Sequence, residues 1–490
     1  MAELIFDADF IKDFKHTKTH IITAPATEQN PEGKRCEIEM AYTGIVETIC
    51  PKCGSKMYSH GARRSSFTDT TFMGLPARLV LKVPRTHCVN CGHVWSPTLV
   101  SVDEKRKMTT RGIKKIASLA LKRSFVDIAE EYGISKNTAK NVFVEYIREK
   151  NEQLRFKTPA FLGLDEIKIR KLGELTVITD LEHKTLYDML QGRNQDQLTD
   201  YFFQMPDRGN VLWVCTDMYR PFRKSIQDAF PNAKWVIDHY HIVVYANRAM
   251  DAVRIHMQSK MDSDTRVKTK KGLAYTLRTR QSRLTPEDAA KIRNCRNDEK
   301  YKDLAVAYDL KEDFFDIYDK NPVSRNDAEQ AFIAWEKAIP KGEQFNDFRK
   351  LAKTVRNFYE EIFNFWDCPA MITNGFTECT NRIIRENNVR GRGNSFEILR
   401  GRTLYRYTNM ERLEENGMLI GPEIPAKGPV FHYEEVNGLE DAMKKTEKEE
   451  EYIIDLDDPL IGLTAGVNYD PDTGEIFDET LLEDWDIDLK

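Results

Sequence analysis

Four of the nine cysteines stand in two Cys-x-x-Cys pairs, Cys50-Pro-Lys-Cys53 and Cys88-Val-Asn-Cys91. Such a pair sets two thiolates on one side of a tight knuckle, and two knuckles supply the four tetrahedral ligands of one structural Zn2+. Gly54 and Gly92 follow the pairs, as knuckle turns require. The 34 residues between Cys53 and Cys88 exceed the ~15–20 usual in such patterns, and a hairpin between the knuckles fills the difference. His87, His93 and Cys36 are rival ligands, ranked behind because the paired spacing already supplies four sulfurs. The bland alternative is two accidental pairs or a redox pair.

A second chemistry rests on acids. Asp165 ends the apolar run Phe161-Leu162-Gly163-Leu164, and Asp217 ends Val214-Cys215-Thr216. Acids at strand ends converge at one edge of a sheet. Glu378 opens a late helix whose Asn381, Arg382 and Arg385 share its face at i+3, i+4 and i+7. Three carboxylates from separate elements can hold two Mg2+ or Mn2+ ions, which activate a water or a 3′-hydroxyl and stabilise the leaving oxygen in phosphodiester attack. Asp180, Asp188, Asp196 and Asp238 compete for this role, and each acid alone reads equally as a solvated surface residue. Asp238-His239-Tyr240-His241 is either an edge of the site or a strand-to-helix junction capped by Asp238.

The elements that must position these groups follow from periodicity. Alternation over residues 77–83 predicts a strand. Three short helices are expected over 112–122, 125–132 (capped by Ser124) and from Ser135 to about 149, with Gly133 as the break. That pattern is a helix-turn-helix. Ile134, Ala139 and Val142 face inward, and Ser135, Lys136, Asn137, Thr138 and Lys140 face DNA as donor-rich side chains. Plain helical packing is the alternative. Short apolar runs at 161–165, 175–179, 211–215 and 233–237, with helices at 195–204 and 220–229 between them, predict a mixed α/β sheet. From about 241 to 369 the pattern is helical. Arg266 to Arg283 carries seven basic and no acidic residues, which reads as a DNA-backbone groove or a solvated face.

The bulk numbers bound the answer. A chain of 490 residues is too long for one core. No apolar run reaches the ~18 residues of a membrane span, and the N-terminus lacks a signal-peptide layout, so an intracellular, cytoplasmic protein is expected. The net charge of -5 hides an asymmetry. Residues 421–490 carry 21 acidic and 5 basic residues, net -16, and the remainder 57 acidic and 68 basic, net +11. A basic body of this kind suits nucleic acid.

The segment Thr373-Asn374-Gly375-Phe376-Thr377-Glu378-Cys379-Thr380-Asn381-Arg382-Ile383-Ile384-Arg385, followed by Arg390-Gly391-Arg392-Gly393-Asn394-Ser395-Phe396, resembles the signature of the ISL-three family of bacterial insertion-sequence DDE transposases. Leu164-Asp165-Glu166, Thr216-Asp217 through Phe222, and Phe230-Pro231-Asn232-Ala233 through His241 fit the same pattern. The resemblance spans roughly residues 45 to 407. It implies a multidomain α/β protein: an N-terminal segment (1–48), a zinc-ribbon-like module (49–100), a helix-turn-helix (108–150), an RNase H-like catalytic domain (158–410) and an acidic tail (421–490). It further implies a helical insertion over about 242–373 and Asp165, Asp217 and Glu378 as the catalytic triad. The expected activity is Mg2+-dependent cleavage at terminal inverted repeats and strand transfer, on double-stranded DNA, by a homodimer or larger assembly. Residues 390–393 depart from the more aromatic stretch expected there, and the tail has no counterpart. The rival is a catalytically silent DNA-binding regulator of the same descent. A structure-selective nuclease on this fold leaves the N-terminal modules unexplained.

Overall fold

The computed structural model describes residues 11–23, 33–261, 273–320, 324–370, 372–416 and 418–420. The acidic tail from 421 onward lies outside the described residues. No described helix is long and apolar enough to cross a membrane. The chain divides into two compact units: residues 1–154 with 386–406, and residues 155–385 with 407–490.

The first unit begins with a sheet. Its strands are β1 (Phe14–Thr23), β2 (Lys34–Tyr42), β3 (Met57–Thr68), β4 (Ala77–Cys88), β5 (Val94–Trp95), β6 (Val102–Asp103) and β7 (Met108–Thr109). The order is β1-β2-β4-β3-β7-β6, with β5 beside β4. Period-2 burial drives it: Cys36, Ile38 and Met40 of β2 and Leu79, Leu81 and Val83 of β4 fill one core with Phe67. Strands β1 and β2, whose residues carry no clear sequence signal, thus complete the sheet that holds the cysteine hairpin. Helices α1 (Thr110–Ala120), α2 (Phe125–Tyr132) and α3 (Lys136–Gln153) follow. Ser124 and Ser135 cap α2 and α3 by accepting from Asp127 N and Thr138 N. Gly133 (φ 60°) ends α2 in the left-handed conformation.

The second unit is built on β9 (Phe161–Ile169), β10 (Gly173–Asp180), β11 (Thr185–Gln191), β12 (Trp213–Thr216) and β13 (Lys234–Ile237), after a short strand β8 (Leu154–Phe156). The order is β11-β10-β9-β12-β13. β11, β10 and β9 are antiparallel; β9, β12 and β13 run parallel. The parallel strands are buried almost throughout, as strands covered on both faces must be. Helices α4 (Gln195–Gln204) and α5 (Arg220–Ala229) fall where periodicity puts them. After β13 come α6 (His239–Ser259), α7 (Pro286–Asn297), α8 (Lys302–Lys320), α9 (Arg325–Ala338), α10 (Asn346–Asn357) and α11 (Tyr359–Asp367). Their apolar faces, including Phe332, Trp335, Phe348 and Phe363, join the core of the sheet. Helix α12 (Gly375–Arg390) brings the chain back to that sheet, and α13 (Phe396–Leu404) and α14 (Tyr407–Asn416) follow.

Residues 386–406, assigned by sequence to the catalytic domain, pack in the first unit. Arg402 lies over the rings of Phe125 and Phe143 and donates to Arg123 O at 2.8 Å. A Cβ on Gly401 would stand 2.4 Å from Ile147 Cδ1, so the close approach of α13 to α3 requires glycine there.

Candidate functional site

The cysteine pairs converge. Cys50 Sγ lies 3.5 Å from Cys91 Sγ, and Cys53 Sγ 3.5 Å from Cys88 Sγ. All four sulfurs fall within 4.8 Å of one another. Tetrahedral zinc with ~2.3 Å bonds separates its sulfurs by about 3.8 Å, so the set fits one ion. Each knuckle is closed alike: Gly54 N donates to Cys50 O and Gly92 N to Cys88 O, both at 2.9 Å. The long gap is the antiparallel hairpin β3–β4. Of the rivals, Cys36 is fully buried in the core of β2, and His87 packs against the ring of His60.

In the second unit, strand register brings the acids together. Gly163 pairs with Cys215 across parallel β9 and β12, so two residues on, Asp165 and Asp217 stand side by side. Thr216 pairs with Ile237 across β12 and β13, so one residue on, Asp217 adjoins Asp238. β9 continues to Ile169, so Asp165 is a mid-strand residue rather than a strand end. Asp238 occupies the cap position of α6, yet its side chain makes no cap hydrogen bond. Its carboxylate is 1% exposed and Oδ1 has no hydrogen-bond partner.

Helix α12 covers these acids. Gly163 leaves room for it: a Cβ there would meet Thr179 Oγ1, Thr377 Oγ1 and Asn374 Oδ1 at 2.4, 2.5 and 2.8 Å. The hydroxyls of Thr179 and Thr377 lie 2.7 Å apart, and Asn374 Nδ2 donates to Leu164 O at 2.9 Å. This polar seam fixes the helix start and with it Glu378. Asn381, expected to face DNA, is instead buried and donates from Nδ2 to Asp165 Oδ2 at 2.6 Å. Glu166 N donates to the other oxygen at 2.8 Å. Arg382 is exposed and Arg385 half-buried. Glu378 Oε1 lies 3.7 Å from Nε2 of His241, on the first turn of α6. Around Glu378, the ligand atoms of Asp238, His241 and Glu378 itself all fall within 4.8 Å of one another. Sequence reasoning held Asp238 and His241 aside. The signal was present: Val236-Ile237-Asp238 ends a strand just as Cys215-Thr216-Asp217 does.

Electrostatics report the crowding. Burial pushes Asp165 up to about 7, and neighbouring Asp217 and Asp238 add to the rise. Burial, then Asp238 and Asp165, push Glu378 up to about 8. Burial raises Asp217 as well. Burial of Glu166, with Asp217 beside it, carries that carboxyl to about 7 against the opposing Arg193. For His241 burial acts downward, but the surrounding carboxylates Asp238, Asp217, Asp165 and Glu378 prevail and raise it. Several buried carboxylates that resist ionisation together are the donor set that bound cations relieve. The residues present therefore fit divalent ions.

In the first unit, Ser135, Lys136, Asn137 and Lys140 are exposed and Thr138 is partly so, while Ile134, Ala139 and Val142 are buried. Within the basic run of 266–283, Arg278 pairs with Asp251 and Arg280 with Glu312, so these two cations are taken up internally. Residues 266–272 lie outside the described residues.

The sequence of the second unit matches the DDE transposase domain, which is RNase H-like and belongs to a family of metal-dependent polynucleotidyl transferases. A family model of the ISL3-type DDE domain, described as "Transposase", matches residues 162–403. A second, described as "zinc-finger of transposase IS204/IS1001/IS1096/IS1165", matches residues 47–91. Together they span more than half of the chain, which belongs to the ISL3 family of transposases. No curated protein matches it. The four-cysteine cluster lies within the residues matched by the zinc ribbon, a family that supports structural zinc.

Proposed function

We propose that this transposase binds the terminal inverted repeats of an insertion sequence, cleaves at them and joins the freed strands to target DNA, with Asp165, Asp217 and Glu378 as its catalytic carboxylates. The observation that supports this most is the register placing Asp165 beside Asp217 beneath the helix that carries Glu378. Asp165, Asp217 and Glu378 would hold two Mg2+ or Mn2+ ions, which would supply activation of a water or 3′-hydroxyl and charge stabilisation at the leaving oxygen. Asn381 holds Asp165 in one orientation, and the polar seam of α12 keeps Glu378 in place. Arg382 and Arg385 extend from the same helix toward the DNA backbone.

The catalytic domain runs in sequence over 158–410, with its insertion at 242–373, and within that span residues 386–406 pack with the first unit. Residues 49–100 and 108–150 are the end-reading modules, the latter a helix-turn-helix. Lys136, Asn137, Thr138 and Lys140 sit at the start of its second helix, where side chains reach base edges and phosphates. Ser135 Oγ is engaged as the cap, so its contribution is to fix that helix start. Two ends must be held at once, so the working form is a homodimer or larger, acting on nucleoid DNA in a bacterial cytoplasm.

The test uses full-length protein on linear DNA carrying the element's own ends, with and without Mg2+. Cleavage at the ends that needs the ion supports the proposal. Specific binding without cleavage under either condition means a regulator instead.

A further inference from the structure

The triad leaves two groups unexplained. Asp238 is 1% exposed, stands at a helix start without capping it, and has an oxygen with no hydrogen-bond partner. The nearest candidate, His239 Nδ1, lies 3.6 Å away, beyond hydrogen-bond reach. His241 Nε2 is also buried without a hydrogen-bond partner and lies 3.7 Å from Glu378 Oε1. A buried carboxylate oxygen and a buried ring nitrogen left without a hydrogen bond each cost stability unless something else binds them.

We infer that Asp238, His241 and Glu378 form a divalent-cation site with one nitrogen and two oxygen donors, better suited to Mn2+ than to Mg2+. Their donor atoms lie within 4.8 Å of one another, and His241 Nε2 and Glu378 Oε1 are 3.7 Å apart, inside the ~4.4 Å that two bonds of ~2.2 Å to one ion can span, so a small inward shift of side chains brings all three donors onto a common ion. Mg2+ prefers oxygen donors and retained water, whereas imidazole moves a site's preference toward first-row transition ions. The site shares Glu378 with the catalytic carboxylates, so the inference rests on the proposed function for its consequence: one of the two ions is held partly by His241. The metal preference of the enzyme is then written in the Asp238-His239-Tyr240-His241 segment.

The test is Mn2+ binding to the zinc-loaded, full-length protein without DNA, followed by electron paramagnetic resonance. Pulsed spectra report whether a 14N nucleus is bonded to the bound ion. The expected results are 14N modulation in the wild type and its loss in His241→Gln. Mn2+ affinity is expected to fall about tenfold or more in both His241→Gln and Asp238→Asn, the least that disturbing a metal site usually costs. A hundredfold excess of Mg2+ over Mn2+ leaves the 14N signal in place. Thermal melts confirm that each variant is folded, and Asp238→Asn carries the test if His241→Gln is not. Bound Mn2+ without 14N modulation, or binding that depends on Asp165 and Asp217 but not on His241, overturns the inference while leaving the proposed function standing. A 14N-coordinated ion in a protein that never cleaves DNA does the reverse. No Mn2+ binding in the folded wild type overturns the inference.

Discussion

Gly163→Ala tests whether the seam between β9 and α12 sets catalytic geometry. The new methyl would stand 2.4 Å from Thr179 Oγ1 and 2.5 Å from Thr377 Oγ1. Ordinary contact needs about 3.4 Å or more, so something must retreat by about 1 Å. Thr179 is held in the sheet opposite Gly163, which leaves the start of α12 to move. Thr377 precedes Glu378 directly, so the carboxylate moves with it. Overpacking of this kind costs about 1–3 kcal/mol, a fall of roughly 2–12 °C in Tm for a domain of this size. A displacement near 1 Å at a reacting centre costs about 10²-fold in rate. The variant is thus expected to stay folded at 25 °C and to lose about 100-fold in single-turnover cleavage. Gly209→Ala is the control, because a Cβ there meets nothing within 4 Å. Full activity in Gly163→Ala, or a loss no larger than the unfolded fraction, refutes the reasoning.

Two further outcomes follow from the electrostatics. Without divalent ions, burial and then the neighbouring Asp238 and Asp165 push Glu378 up to about 8, against 4.5 for an ordinary glutamate. The folded state therefore binds that proton more tightly, and stability falls as pH rises from about 4.5 through 8. Glu378→Gln is expected to raise Tm at pH 8 and leave it unchanged at pH 4, by melts of the zinc-loaded protein with no Mg2+ or Mn2+ added; an equal effect at both pH values contradicts this. For end binding, Lys136→Ala with Lys140→Ala removes two phosphate-directed charges, so the slope of log K against log salt should become shallower by about 2. An unchanged slope in a binding titration places the DNA elsewhere.

Much of the fold is legible because its signals are local. Ser124 and Gly133 bound α2, and the Asn194 cap and the Arg220-Pro221 start set α4 and α5. What stays hidden depends on distant partners. β1 and β2 carry Lys, His, Arg and Glu among their apolar residues, and only β4, far along the chain, completes their core. β11 is interrupted by Asp188, whose carboxylate accepts from Tyr201 Oη at 2.7 Å. At the site, Asp165 and Asp217 are readable as acids on apolar runs, but a strand-end aspartate that caps a helix looks the same in sequence as one that does not. Asp238 is of the second kind, and only its unspent oxygen separates the two. Helical spacing puts Asn381 and Arg382 on one face with Glu378. It does not reveal that the amide turns inward to Asp165 while the guanidinium remains exposed.

The central claim is that the acids aligned on β9 and β12 carry out cleavage. Its most direct test compares wild type with Asp217→Asn in Mg2+-dependent cleavage and joining of DNA bearing the element's ends, with end binding measured in parallel. The account predicts that binding is retained and that both cleavage and joining disappear. Equal activity in the two proteins contradicts it and moves the reaction to another set of carboxylates.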